Sequence, residues 1–154
     1  MDLVIDYNCG KGKLIIHLEQ MMRFKSVQKF KKMLKTNELC NDVRQMEDNV
    51  SKIKKYVQEY LEQVEPIMKE YANKYESYKG QLPDAQEKLD RLVEKRSILK
   101  KNSQTYKELT SKVNDAREQV RHIKSMCSSS LSRFNEEIRM KKFLIKCLVI
   151  LESR

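Results

Sequence analysis

Apolar residues recur at alternating intervals of four and three along much of the chain, and this spacing is the strongest constraint on its fold. The first series continues through more than four heptads, with valine at most of its a-type positions. A heptad repeat of this length is typical of long helices that pack along a narrow apolar stripe. The first series consists of Leu39, Val43, Met46, Val50, Ile53, Val57, Tyr60, Val64, Ile67 and Tyr71.

A second apolar series begins after Gly80-Gln81-Leu82-Pro83. Glycine suits the left-handed residue that ends a helix, and proline suits the first turn of the next helix. We therefore predict a turn at 80–83 that joins two antiparallel helices and places Cys40 opposite Ile123. Pro66 lies inside the first series, but the heptad phase continues across it and favours a kinked, continuous helix. The second series changes phase at 102–106, which we interpret as local over- or unwinding of a supercoil. Its members are Ala85, Leu89, Leu92, Arg96, Leu99, Tyr106, Leu109, Val113, Ala116, Val120, Ile123 and Cys127.

The composition agrees with few turns and long helices. The 154 residues include only 3 Gly and 2 Pro, which argues against a sandwich, a barrel or a doubly wound sheet. Charged residues make up 35% of the chain, but the 40% of hydrophobic residues lie at regular spacing and argue against disorder. A chain of this length normally forms one domain.

The two ends of the chain depart from the heptad pattern. Residues 2–6 and 13–18 are rich in β-forming side chains and flank a glycine-containing segment, so we predict a β-hairpin. Ser26 is expected to cap a short basic helix from Val27 to about Lys35, and Asn37 to interrupt it or to cap the next helix. The serine-rich segment 127–132 predicts a bend. The apolar segment 143–151 favours a helix over a buried strand.

These patterns predict a mainly α protein. Its centre is a long antiparallel coiled-coil hairpin, and its small base combines an N-terminal β-hairpin, a short basic helix and a C-terminal apolar helix. We assign residues 1–37 to the hairpin and basic helix, 38–127 to the coiled-coil arm, and 128–154 to a C-terminal helix that packs on the base.

Positive charge is concentrated near the N-terminus of a chain whose formal net charge is +10. Between residues 11 and 35, eight basic residues face a single acid, Glu19. Such a cluster is typical of a surface that binds a polyanion, although a solvated face, a membrane surface or an acidic protein are alternatives. The predicted binding residues are Lys11, Lys13, Arg23, Lys25, Lys29, Lys31, Lys32 and Lys35.

Two motifs within this cluster have alternative interpretations. Phe24 and Phe30 could stack on nucleic-acid bases, but an aromatic at helical spacing favours a core position, which we predict for Phe30. Cys9-Gly-Lys-Gly-Lys13 lacks the spacing of a phosphate-binding loop and is expected to be a hairpin turn, whose amides and lysines could still contact a phosphate.

The sequence contains no recognisable catalytic arrangement. The predicted turn would bring Cys40, His122 and Cys127 to the base, where Cys9, His17 and Cys147 also belong, but their spacing gives only a weak zinc signal. We therefore expect buried apolar cysteines, with no metal and no cofactor. With two histidines and no nucleophile–base pair, an enzyme is not expected.

The likely cellular compartment is inferred from three features. There is no signal-peptide pattern, and the longest apolar stretch, Phe143 to Leu151, is too short to span a bilayer and contains Lys146. The four cysteines form no C-x-x-C pair. These features favour a cytoplasmic protein without a transmembrane segment.

Three functions are compatible with this pattern. The leading hypothesis is a non-enzymatic protein whose basic base binds nucleic acid or a nucleoprotein complex, while its coiled-coil arm contacts a protein. The second is a protein-only scaffold or inhibitor, such as a phage or mobile-element accessory protein that blocks a host nucleic-acid enzyme. The third is a self-assembling coiled-coil spacer, and a homodimer is compatible with the valines at a-type positions.

Overall fold

The computed structural model describes residues 2–6, 13–40 and 42–153. In chain order these contain β1 (Asp2–Asp6), β2 (Lys13–His17), α1 (Leu18–Phe24), α2 (Val27–Asn37), α3 (Val43–Ser97) and α4 (Gln104–Glu152). The predicted mainly helical fold is confirmed. The chain divides into a first unit, Met1–Met68 with Glu136–Arg154, and a second unit, Lys69–Asn135.

The strands β1 and β2 pair antiparallel, from Asp2 opposite His17 to Asp6 opposite Lys13. Residues 7–12, which would connect them, lie outside the described residues, as does the predicted turn at Cys9-Gly-Lys-Gly-Lys13 apart from its last residue. The N-terminal β-hairpin as a complete element therefore stays a prediction.

Helices α1 and α2 are separated by a tight local connection. α1 ends at Lys25, which has left-handed backbone geometry (φ 49°) and donates its N–H to the Met22 carbonyl at 3.2 Å. Ser26 then caps α2, as predicted, because its Oγ accepts a hydrogen bond from the Lys29 amide at 3.3 Å. α2 continues for two residues beyond the predicted end, to Asn37.

One apolar core organises the first unit. α1 and α2 contribute residues at helical spacing, while α3 contributes the heptad positions Ile53, Val57 and Val64. The C-terminal apolar segment is helical, as favoured from its sequence, and adds one face of α4 to this core. The other members are Leu18, Met22, Phe30, Met33, Leu34, Tyr56, Phe143, Leu144, Cys147 and Leu151.

A buried polar contact connects α2 to the start of α3. The Asn49 side-chain amide donates to Asn37 Oδ1 at 2.9 Å, and Asn37 Nδ2 donates to the Met46 carbonyl at 3.2 Å. Gln45 Nε2 completes the network by donating to Asn49 Oδ1 at 2.9 Å. Asn37 does not cap the next helix as expected. That role belongs to Asp42, whose Oδ1 accepts from the Arg44 amide at 2.9 Å.

The predicted turn at 80–83 is wrong, because α3 continues through Pro66, Gly80 and Pro83 to Ser97. A proline inside a helix removes one hydrogen bond and crowds the preceding turn, at a cost of about 3 kcal/mol. Continued apolar packing offsets that cost here. Tyr78, Leu82, Ala85 and Leu89, which flank Gly80 and Pro83, pack with Val120 and Ile123 of α4.

The actual turn lies at 98–103, and it explains the phase change seen in the second apolar series. Ser103 begins α4 as its cap, with Oγ accepting from the Tyr106 amide at 3.1 Å and donating to the Lys100 carbonyl at 2.8 Å. The second unit is therefore a helical hairpin in which the end of α3 packs on the start of α4.

Moving the turn also changes the predicted register. Cys40 belongs to the first unit and is not opposite Ile123, which packs with Ala85 in the second. The first heptad positions are not a buried stripe either, since Leu39 and Val43 are 62% and 61% exposed. Core burial of this series becomes regular only from Ile53 onward.

The predicted bend at 127–132 and the separate helix over 128–154 are also wrong, because α4 is unbroken from Gln104 to Glu152. Serine lowers helix stability only modestly, so a run of serines does not end a helix that is packed on both sides. Ser130 within this run is itself buried. Across the described residues, none of the helices offers an apolar stretch sufficient to cross a membrane.

We expect Gly80→Ala to stabilise the protein by about 0.5–1 kcal/mol, because glycine is unfavourable in a helix interior. A Cβ at this position would meet no atom within 4 Å. Urea unfolding measures the change, and Gln81→Ala at the exposed neighbouring position is the control, with an expected shift of a few tenths of a kcal/mol. Destabilisation by Gly80→Ala would instead support a left-handed turn at this position.

We expect Asn49→Ala to destabilise the protein by about 2–3 kcal/mol, because it leaves Asn37 Oδ1 and Gln45 Nε2 without their partner in a buried site. Asp48→Ala is the matched control, since Asp48 is exposed and pairs only with Lys52, four residues along the helix. Equal unfolding midpoints for the two variants would contradict a structural role for the asparagine contact.

Candidate polyanion-binding surface

Helix α2 has two chemically distinct faces. Phe30, Met33, Leu34 and Asn37 are buried, whereas the lysines between them are exposed. Because a helix repeats every 3.6 residues, this spacing separates the two sets onto opposite sides. We call the exposed set the lysine face; it consists of Lys29, Lys31, Lys32 and Lys35.

The structure brings together half of the eight predicted binding residues. The four residues of the lysine face share one side of α2, together with Gln28. Arg23 is exposed in the last turn of α1, and Lys25 is half-buried in the connection before α2. Lys13 lies on β2, and Lys11 lies outside the described residues.

The charge on the lysine face is largely uncompensated. Among the described residues, Lys31, Lys32 and Lys35 form no ion pair, and Lys29 Nζ lies 4.1 Å from the centroid of the Phe24 ring. Three like charges within two helical turns repel one another unless an anion lies nearby. This arrangement favours the approach of a polyanion.

The lysine face also borders a shallow, open pocket of about 320 Å³. Gln28 and all four lysines of the face line it. Lysine ammonium groups are strong hydrogen-bond donors without an acceptor atom, so they suit phosphate and carboxylate oxygens. The pocket can therefore receive anionic groups from more than one lysine at once.

The two phenylalanines in the basic segment have different environments. Phe30 is fully buried in the core, as predicted, whereas Phe24 is 63% exposed. Phe24 is the last residue of α1 and is covered on one side by the Lys29 ammonium. Helical spacing could not distinguish these positions, because Phe24 and Phe30 belong to two different helices.

Glu136 limits the positive charge on one side of this region, and the sequence gave no indication of its position. Its Oε2 lies 3.4 Å from Lys25 Nζ, and its Oε1 accepts from Arg139 at 2.7 Å. Nearby, Lys141 forms an ion pair with Glu65. These acids counter part of the basic charge contributed by α4 and leave the lysine face itself uncovered.

Two ionisable side chains lie in the core of the same unit. Tyr56 has a buried hydroxyl with no hydrogen-bond partner among the described residues, and burial, with additional effects of Glu19 and Tyr60, raises its pKa to about 12. Burial raises the pKa of the Cys147 thiol from 9.0 to about 12. Both groups are therefore held in their neutral forms at physiological pH.

The cysteines and histidines are distributed differently from the sequence-based arrangement. His122 packs edge-on against Tyr78, with ring centroids 6.4 Å apart, and Cys127 joins the apolar cluster of the second unit. Cys40, Cys147 and His17 belong to the first unit, and Cys9 is outside the described residues. No group of three or more His, Cys, Asp or Glu side chains in the described ranges could share a metal ion.

Comparisons with known proteins find no matching family model, no matching curated protein and no matching solved structure. The function is accordingly argued from the chemistry of the surface itself.

We expect the free energy of unfolding to fall as the pH rises from about 9 toward about 12. Cys147 and Tyr56 lose their protons more readily in the unfolded chain, so their contribution is complete below the unfolded pKa and is lost as the pH approaches the folded value. Urea unfolding at near-neutral and alkaline pH measures this loss.

Cys147→Ala should lower stability at neutral pH but show a smaller further loss at alkaline pH. Leu151→Ala is the control, because it removes a buried apolar side chain from the same core without removing a titrating group. Identical pH dependence in Cys147→Ala and the wild type would contradict a thiol held neutral by burial.

Proposed function

We propose that this protein is a non-enzymatic binding protein whose lysine face engages nucleic acid or a nucleoprotein complex. The observation that carries the proposal is the set of four exposed lysines on one side of α2, three of them without an ion pair among the described residues. A partner with regularly spaced phosphates matches this surface better than an isolated carboxylate, because several lysines can bind it together.

Binding of this kind depends on counterion release. Each lysine that neutralises a phosphate releases condensed cations, so affinity falls steeply as salt concentration rises. The lysine face offers Gln28 as its one uncharged polar neighbour in the pocket, and phosphate contacts carry no sequence information. The proposed binding is therefore largely independent of nucleotide sequence.

The second unit is proposed to contact a protein partner. At its turn Ile98 is 83% exposed, which is high for an isoleucine, and Lys100 and Lys101 follow it. An apolar side chain bordered by charge is a common element of protein interfaces. We therefore propose that the helical hairpin carries this contact, while α2 carries the contact with the polyanion.

We expect simultaneous Lys29→Glu, Lys31→Glu, Lys32→Glu and Lys35→Glu substitution to abolish most binding of a fluorescent single strand at low salt. Fluorescence anisotropy at several salt concentrations measures both affinity and its salt dependence. If all four lysines contact phosphates, the slope of log affinity against log salt should decrease in magnitude by about 3.

A variant with the same change in net charge separates local contacts from long-range attraction. Lys69, Lys88, Lys107 and Lys112 are exposed on the second unit, and their joint substitution by Glu should leave most of the affinity intact. Circular dichroism verifies that both variants remain helical. Equal losses in the two variants, or negligible binding by the wild type at low salt, would reject the lysine face as the site.

The protein-only alternative gives a different result in affinity purification. A stoichiometric protein partner that survives nuclease treatment and is lost on charge reversal of the lysine face would assign this face to an acidic protein. Loss of all copurifying material with nuclease agrees with the proposed nucleic-acid partner.

A further inference from the structure

The exposed Phe24 has no structural role that explains its position beside the lysine face. It is 63% exposed, although Phe30, six residues later, is fully buried. Its closest recorded partner is a cation, the Lys29 ammonium, 4.1 Å from the ring centroid. The ring therefore lies next to the first lysine of the basic surface, with one side covered by that lysine.

An aromatic ring beside a row of cations is the arrangement used to bind single-stranded nucleic acids. The cations follow the phosphate backbone, and the aromatic ring stacks on a base, which every base permits because each has a flat π face. The Lys29 ammonium contributes to both parts, since it holds the ring by a cation–π contact and lies at the start of the lysine face.

We infer that Phe24 is a stacking platform and that the polyanion is a single strand. This inference rests on the proposed function and specifies its substrate class. A base stacks on the side of the Phe24 ring that Lys29 leaves open, and the adjoining phosphates extend along α2 toward Lys35. At a rise of 1.5 Å per residue, Lys29 and Lys35 are about 9 Å apart along the helix axis, so the surface is longer than one phosphate group.

A duplex satisfies this arrangement less well. Its base faces are already stacked on their neighbours, so an isolated ring at the end of α1 could reach one only by opening the duplex. Reading a groove without opening it requires polar side chains directed at base edges. The lysine face supplies one such side chain, Gln28, among four lysines.

The decisive experiment compares an oligothymidylate with the same strand annealed to oligoadenylate. We expect the wild type to prefer the single strand at equal salt. Phe24→Leu keeps an apolar side chain but removes the ring, and it should weaken single-strand binding by roughly 5- to 100-fold while leaving duplex binding unchanged. Because stacking releases no counterions, the salt dependence should stay the same.

Tyr75→Leu is the matched control. Tyr75 also carries a lysine over its ring, with Lys79 Nζ 5.6 Å from the centroid, but it lies on α3 in the second unit. This variant removes an aromatic ring with a cation partner and should leave binding of both probes unchanged.

Phe24→Trp provides a direct readout of stacking. The chain contains no tryptophan, so this variant introduces a single indole at the proposed contact. We expect oligothymidylate to quench its fluorescence and to bind at least as tightly as to the wild type, while the duplex leaves the emission nearly unchanged.

The outcomes distinguish this inference from the proposed function. Equal binding of single strand and duplex, with no effect of Phe24→Leu, would overturn the stacking role while a salt-dependent loss on lysine reversal retained the polyanion site. Absence of binding to either probe would reject both. A blue shift of the Phe24→Trp emission with anionic phospholipid vesicles, but no response to oligothymidylate, would reject the single strand in favour of a membrane surface.

Discussion

The buried contact between Asn37 and Asn49 determines how α2 lies on the rest of the first unit. Both side chains are fully buried, and their 2.9 Å hydrogen bond connects the end of α2 to the first turns of α3. An apolar helix face alone permits small shifts in position, whereas a buried amide pair loses its partner when the helices slide. The contact therefore fixes α2 with Phe30 inward and the lysine face outward.

The local parts of this arrangement were predictable from sequence because local interactions determine them. The cap at Ser26 requires only a hydroxyl three residues before an amide, and the two faces of α2 follow from helical spacing. The exposure of the predicted lysines followed from the burial of Phe30 and Leu34. Phe24 could not be placed in the same way, because the end of α1 interrupts the spacing.

The position of the long turn was not predictable from Gly80 and Pro83 alone. Each disfavours a helix locally by an amount that packing against a partner helix can offset, and Ala85 supplies such packing just beyond Pro83. The change of phase near Ser103 was the better signal, because apolar spacing must restart when the chain reverses direction. Register between distant segments depends on that single assignment, which is why Cys40 was placed opposite the wrong residue.

Long-range pairing also limits what the sequence says about the candidate site. Glu136 is 111 residues from Lys25, yet their side chains pair at 3.4 Å. An exposed pair of this kind contributes about 0–1 kcal/mol, whereas a phosphate that contacts several lysines gains from each released counterion. A polyanion on the lysine face can therefore displace Glu136 from Lys25 and add that lysine to its contacts. The surface that binds is then larger than the surface left unpaired in the free protein.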